Sequence, residues 1–415
     1  MHVQKDSQGS GPAAIHKNLR CIVYALGPGD VAGHFRLCQE GKQPPFQMCN
    51  AFSEQFFEAC RDRYRLVLIS SHERRDVFML GPHRMENLPR SPLYARSGLG
   101  HHLDMFFYGL GIVFRALRNR ASAVIVDSGT THWFLLALLW LFRIPVIAVF
   151  HNTLWPAGFP PQGRAARLLL SLNGWFFRRI AAASACVSPE CMRQVQTAAG
   201  QTHGPVYQYR AQYRTGFLST VPPPDHASTP FRILFLGRIQ DFKGVFLLLD
   251  AAEQLEREFP GRFVWKIVGS GPAEAQLTRQ IQERGLQSIV QMPGPLANAA
   301  EALATLTWAH LVTVPTTSAF FEGLAMTAAE AALSGRPALV SSVVPAAEVL
   351  GAAALRFETD NLDAFTDALR LLAFDATAYA HAQQATAAAS SQFYDRSRSL
   401  GAVLEQALAA LFTPS

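Results

Sequence analysis

The sequence has few cysteines and no pattern among them. Cys21, Cys38, Cys49, Cys60, Cys186 and Cys191 form no Cys-x-x-Cys and no metal-ligand spacing, which argues against a disulfide framework or a structural zinc site. They read as reduced thiols in a cytoplasmic protein. No Asp-x-Asp occurs, so a metal held between paired aspartates has no obvious ligand set. The polar residues 1–11 lack the apolar core of a signal peptide. One stretch, 133–150, approaches the length of a membrane span, but Arg143 and Pro145 interrupt it. It splits into a helix over 133–142 and a buried strand over 145–150. No internal repeat is visible.

What remains is an ordinary globular composition, 49% hydrophobic and 16% charged. At 415 residues the chain is too long for one core, and two domains are expected. Charge is divided between them. Residues 1–225 hold 24 Lys and Arg against 13 Asp and Glu, and the remainder holds 13 against 18. A basic first half suits an anionic partner such as membrane phospholipid or a phosphorylated acceptor. Scattered surface arginine gives the same count. The arginines at 61, 63 and 65, at 74 and 75, and at 178 and 179 face phosphate or membrane on one reading and plain solvent on the other.

Short apolar runs recur between helical stretches. In the first half they are 21–26, 66–70, 123–127, 145–150 and 184–187; in the second, 232–236, 263–268, 288–292, 311–315 and 337–341. Runs without polar alternation, spaced by helices, predict parallel strands covered on both faces. Two such series predict an α/β protein of two doubly wound, Rossmann-like sheets facing a cleft. The Pro-rich run 221–225 reads as the linker. The domains are then 1–225 and 226–392, with a C-terminal helix at about 393–415 packing back on the first.

Ligands of such sheets bind beyond the strands' carboxyl ends. After the strand 311–315 comes Phe321-Glu322-Gly323-Leu324-Ala325-Met326-Thr327-Ala328-Ala329-Glu330, leading into an Ala-rich helix stopped by Gly335-Arg336-Pro337. Glu322 falls on the loop before the helix and Glu330 about two turns inside it. The N–H groups of Gly323, Leu324 and Ala325 offer a seat for phosphate. Carboxylates repel phosphate but accept well from vicinal hydroxyls. Phosphate flanked by polyols describes a nucleotide sugar.

Gly237-Arg238-Ile239-Gln240-Asp241-Phe242-Lys243-Gly244 follows an earlier strand. Its Arg and Lys suit a diphosphate, although a charged βα loop with a glycine cap looks the same. Val268-Gly269-Ser270-Gly271-Pro272 allows close backbone approach or simply a tight turn, and it lacks the third glycine of a dinucleotide fingerprint. Gly27-Pro28-Gly29-Asp30-Val31-Ala32-Gly33-His34 is a second N–H-rich loop or a structural turn. His151 ends the strand 145–150, a place for an active-site group, while most single histidines are not catalytic. Asp127 and His132 are weaker acceptor-side candidates.

The joint pattern over residues 231–345 resembles the donor domain of retaining GT-B glycosyltransferases of glycosyltransferase family 4. The resemblance lies in Gly237-Arg238 with Lys243-Gly244, in 268–272, in 321–330 and in Ser334-Gly335-Arg336-Pro337. Phe150-His151 and Cys186-Val187-Ser188-Pro189 extend it into the first half. It implies that Arg238 and Lys243 hold the donor diphosphate and that Glu322 contacts sugar hydroxyls. Gly323, Leu324 and Ala325 would meet phosphate oxygens, and Glu330 the ribose. His151 would lie near the transferred sugar, Gly33 and Gly269 near the donor, and Met292 beside the base. It further implies retention of configuration, no metal and no cofactor beyond the nucleotide diphosphate sugar as co-substrate. The chain departs from relatives at 213–216, where Tyr-Arg-Thr-Gly replaces an Asn-Gly-Val-Asp run.

The expected protein is a cytoplasmic hexosyltransferase acting on a saccharide or lipid-linked saccharide in polysaccharide or glycoconjugate assembly. Peripheral contact with anionic membrane is expected, and nucleic acid is not a partner. The alternatives are a nucleotide-sugar epimerase or sugar-phosphate synthase of the same fold, and a binding protein that has lost catalysis.

Overall fold

The computed structural model describes residues 19–42, 44–95, 98–200 and 203–413. The polar segment 1–11 lies outside them. The strands are β1 (Cys21–Pro28), β2 (Arg65–Ser71), β3 (Asp76–Leu80), β4 (His83–Leu88), β5 (Ala123–Asp127), β6 (Val146–Phe150), β7 (Ala181–Cys186), β8 (Val206–Gln208), β9 (Phe231–Leu236), β10 (Phe263–Val268), β11 (Val290–Gly294), β12 (Leu311–Val314), β13 (Ala338–Ser341) and β14 (Ala354–Phe357). Packing divides the chain into two compact units, one of residues up to 42 with 57–146, the other of 43–56 with 147–415.

In the first unit the strand order is β3-β4-β2-β1-β5. All neighbours are parallel except the β3–β4 hairpin. β1, β2 and β5 are buried along most of their length, as expected of strands covered on both faces. The helix Leu99–Arg118 packs inward through Met105, Tyr108, Ile112 and Val113. Its outward face is also apolar, with Leu99, Phe107 and Phe114 more than half exposed.

The second unit carries β6, β7 and β8 and a six-stranded sheet of order β11-β10-β9-β12-β13-β14, parallel throughout. Phe231, Ile233, Phe235, Trp265, Leu339 and Phe365 centre its core with the helix Val245–Glu258. Burying each such side chain contributes about 2 kcal/mol. The final helix, Leu400–Phe412, packs on β7. Gly401 permits that approach, since a Cβ there would stand 2.1 Å from the Gln55 carbonyl oxygen. Arg210 ties the same region together, its Nε donating to Gln392 Oε1 at 2.7 Å and its N–H to the Arg398 carbonyl at 2.7 Å.

Two parallel-sheet α/β domains are thus present. Each of the ten apolar runs forms a strand. The structure adds β3, β4, β8 and β14, which are short or interrupted by charge and so lack an apolar run. The segment Trp133–Phe142 forms 3₁₀ turns rather than a regular α-helix and ends at Arg143 in the left-handed region, φ +56°. Among the described residues no helix is long and apolar enough to cross a membrane.

Candidate active site

Strand tips of the second unit surround a cavity of about 450 Å³. Phe52, His151, Asn152 and Val187 line it from the first half of the sequence, and 235–243 and 320–327 contribute from the second. The Gly237–Gly244 loop leaves β9 and turns back at Gly244, φ +76°, where a Cβ would meet the Pro315 carbonyl oxygen at 2.0 Å. Only glycine fits there. The turn presents Lys243, whose ammonium pairs with Glu322 Oε1 and lies 4.2 Å above the Phe320 ring. Phe242 stacks on Phe320 at 4.5 Å, so the cation rests on a rigid aromatic shelf. Glu322 is 6% exposed and also accepts from Thr316 Oγ1 at 2.9 Å. Its carboxylate is therefore fixed by two donors. Arg238 is exposed and borders the same cavity.

Behind Glu322 the chain passes Gly323 and Leu324 and enters the helix Met326–Leu333. The helix begins later than the sequence pattern suggests, so Glu330 lies little more than one turn inside it rather than two. Ala325 precedes it at φ +67°, a conformation costly for a residue with a Cβ. In the first turn the Ala328 N–H bonds back to the Ala325 carbonyl at 3.1 Å, and Met326 and Thr327 bring the positive end of the helix dipole to the cavity. Gly323 abuts His151 so closely that a Cβ would fall 1.7 Å from the His151 carbonyl oxygen. His151 is itself oriented. Its Nδ1 lies 2.6 Å from Tyr209 Oη, and Phe52 stacks on its ring at 4.7 Å. Tyr209 is fully buried and donates to the Phe150 carbonyl at 3.2 Å. In that arrangement its oxygen accepts from Nδ1–H, which leaves Nε2 as an acceptor.

His151, Arg238, Lys243, Glu322, Gly323, Leu324 and Ala325 thus meet at one cavity. Gly269 lines a second cavity of about 380 Å³ with Arg238, Ser270, Pro295 and Leu296. Leu236, Gly237, Arg238 and Thr327 border both. A Cβ on Gly269 would strike the Gly237 carbonyl oxygen at 1.9 Å, so glycine is needed to pack two strand-end loops together.

Three candidates line neither cavity. Met292, on β11, is half-buried, and its sulfur accepts from Thr278 Oγ1 at 3.8 Å. Glu330 is 6% exposed and accepts from Tyr213 Oη at 3.4 Å. Burial pushes its carboxyl up to about 7. Gly33 belongs to the first unit, in the first turn of the helix Val31–Gln39, and its N–H donates to the capping carboxylate of Asp30 at 2.7 Å. That donor is committed locally. Asp127 is structural in its contacts, accepting from Tyr24 Oη at 2.7 Å and from the Gly27 N–H at 3.2 Å. His132 stacks on His102, and burial lowers its pKa.

Sequence reasoning missed Phe52, Tyr209, Thr316 and Phe320, the groups that hold the cavity's polar side chains in place. Thr316 and Phe320 lie between the strand and Glu322, so proximity in sequence was a usable signal. Tyr209 and Phe52 are joined to His151 only through the fold. Arg336 has a structural use. It is wholly buried at the end of the helix Met326–Leu333 and donates from Nε to the Ala309 carbonyl at 3.3 Å.

Known proteins are similar to this chain in fold and, over residues 230–375, in sequence. Residues 230–375 match the family model of glycosyl transferases group 1. The O-antigen chain mannosyltransferase C of Escherichia coli is 44% identical over 57 residues, 14% of this chain and 14% of that protein. The curated relatives are matched over only 14% to 35% of their own lengths. HepE of Anabaena, solved in complex with UDP, superposes with a TM-score of 0.64 at 16% identity, covering 94% of this chain and 99% of that one. A sucrose-phosphate synthase from Thermosynechococcus elongatus gives 0.69 at 15% identity, covering 95% and 99%. Residues 230–375 are thus similar to the glycosyl transferases group 1 family, and the two-sheet fold is of the GT-B type.

Proposed function

We propose that the protein is a retaining hexosyltransferase that takes its sugar from a nucleoside diphosphate donor. The observation that carries this reading is the convergence of Arg238, Lys243, Glu322 and the start of the helix Met326–Leu333 on one cavity. Arg238 and Lys243 would hold the diphosphate, with the helix N–H groups on its oxygens. All three stabilise negative charge as the glycosidic bond breaks. Glu322, fixed by Lys243 and Thr316, accepts from sugar hydroxyls and is poorly placed to serve as a free nucleophile. Retention then follows if the acceptor attacks from the face the diphosphate leaves, with a leaving phosphate oxygen taking the acceptor's proton. His151 would contact the transferred sugar. The second cavity, which Gly269 lines, suits the nucleoside; Glu330, expected as the ribose anchor, borders neither cavity, and in this reading it acts from behind the helix start rather than on the ligand. Two cationic side chains supply the charge neutralisation, so no metal is required.

The acceptor is proposed to be a saccharide or lipid-linked saccharide, in keeping with the O-antigen mannosyltransferase likeness. The protein would work in the cytoplasm, at the face of an anionic membrane, in polysaccharide or glycoconjugate assembly. The domains are proposed to divide near 225, the donor side being 226–392. The test is donor hydrolysis and thermal shift across uridine, guanosine and adenosine diphosphate hexoses. One donor should stabilise the protein and turn over, and Lys243→Ala or Glu322→Gln should reduce turnover at least about a hundredfold without unfolding. Unchanged turnover in both variants would sink the site assignment. Transfer to a free sugar phosphate would favour a synthase.

A further inference from the structure

The helix Arg164–Arg179 of the second unit is amphipathic in an unusual sense. Its inner face is tightly held. Gly174, Phe176 and Phe177 are buried, Phe177 meets Phe150 at 5.4 Å, and a Cβ on Gly174 would stand 2.2 Å from the Ala198 carbonyl oxygen. Its outer face is apolar as well. Leu168, Leu172 and Trp175, spaced four and three residues apart, form one stripe and are 61%, 36% and 43% exposed. Exposed Arg164 and Arg167 stand at one end of the stripe, and exposed Arg178 and Arg179 at the other. Nothing acidic balances them in sequence, since no Asp or Glu occurs between Asp127 and Glu190.

We infer that this helix is the membrane-docking element of the protein, lying flat on a bilayer with anionic headgroups. The inference rests on the membrane-peripheral reading above and names the surface responsible. Leucine and tryptophan would enter the headgroup–acyl boundary while the arginines reach back to lipid phosphates. A helix of 16 residues spans about 24 Å, too short and too charged to cross but suited to lie in the interface. A second copy of the chain is a poor occupant, because it would set four arginines against four.

The test uses the full chain and flotation with vesicles of phosphatidylcholine, with or without phosphatidylglycerol. The wild type floats with the anionic vesicles, and salt releases it. Arg164→Gln with Arg167→Gln weakens binding about 25-fold at low salt, roughly fivefold per arginine. Leu168→Gln, Leu172→Gln and Trp175→Gln together cost at least about tenfold. All these positions are exposed, so melting temperature and donor-dependent thermal shift stay at wild-type values. The emission change on adding vesicles, taken as wild type minus Trp175→Phe, is a blue shift. If the wild type floats and every variant floats equally, the helix is the wrong surface while the membrane reading survives. If the wild type ignores anionic vesicles, both fall. Concentration-dependent self-association abolished by the leucine changes, with no vesicle binding, overturns the proposal in favour of a protein interface.

Discussion

Glu330 is a carboxyl group that burial makes reluctant to ionise. Its pKa, about 7 in the folded protein against 4.5 for the free group, is raised. A raised acid favours the folded state when protonated, so that stability is complete below about pH 4.5 and is lost as pH rises toward 7. The span corresponds to at most about 3 kcal/mol. Glu330→Gln should therefore flatten the pH dependence of melting and raise the melting temperature at pH 8. An unchanged slope in that variant would show that another group titrates. Tyr209 offers a second test at this scale. Tyr209→Phe removes the partner 2.6 Å from His151 Nδ1 but keeps the ring. If His151 must be aimed, kcat falls about tenfold to a hundredfold with donor affinity nearly unchanged, measured as a split between kcat and KM.

At the scale of elements, strand-end loops carry the site, and their tolerances are narrow. Gly323→Ala places a Cβ 1.7 Å from the His151 carbonyl oxygen. It should cost about 1–3 kcal/mol and displace the loop that carries Glu322, seen as a lower melting temperature and lost nucleotide-induced stabilisation. Ala325→Gly should do the opposite to stability, relieving up to about 1 kcal/mol of left-handed backbone. These loops were legible in the sequence because glycine and charge at the end of an apolar run are local signals. The burial of Glu330 was not, since it depends on Tyr213, 117 residues away. Nor was the Tyr209–His151 contact, between residues 58 apart. The β3–β4 hairpin escaped for a different reason: partial exposure in β3 and a charged β4 leave no uniform apolar run to detect. Strands with an unbroken apolar run announce themselves; short or charged ones do not.

For the molecule as a whole, the last segment closes the second unit. Leu400, Val403, Leu404 and Leu408 are buried, and Tyr213 and Arg210 donate backbone N–H bonds to the carbonyls of Phe393 and Arg398. Ending the chain after residue 390 exposes that surface at a cost on the order of 5–10 kcal/mol, as large as the stability of many domains. Expression of such a chain should yield insoluble or cooperatively unfolded protein; a wild-type melting transition would contradict the packing described. The division of charge is sharpest between Asp127 and Glu190, a stretch that holds arginine but no Asp or Glu.

The Lys243–Glu322 pair has a consequence for which anions the site rejects. With Glu322 already holding the ammonium, a bare anion gains only part of the lysine's charge and meets the carboxylate's repulsion besides. A ligand that brings hydroxyls as well as phosphate offers Glu322 new donors and releases Lys243 to the diphosphate. Pyrophosphate and orthophosphate should then be weak competitors, and the pair would act as a filter against the commonest anions of the cell.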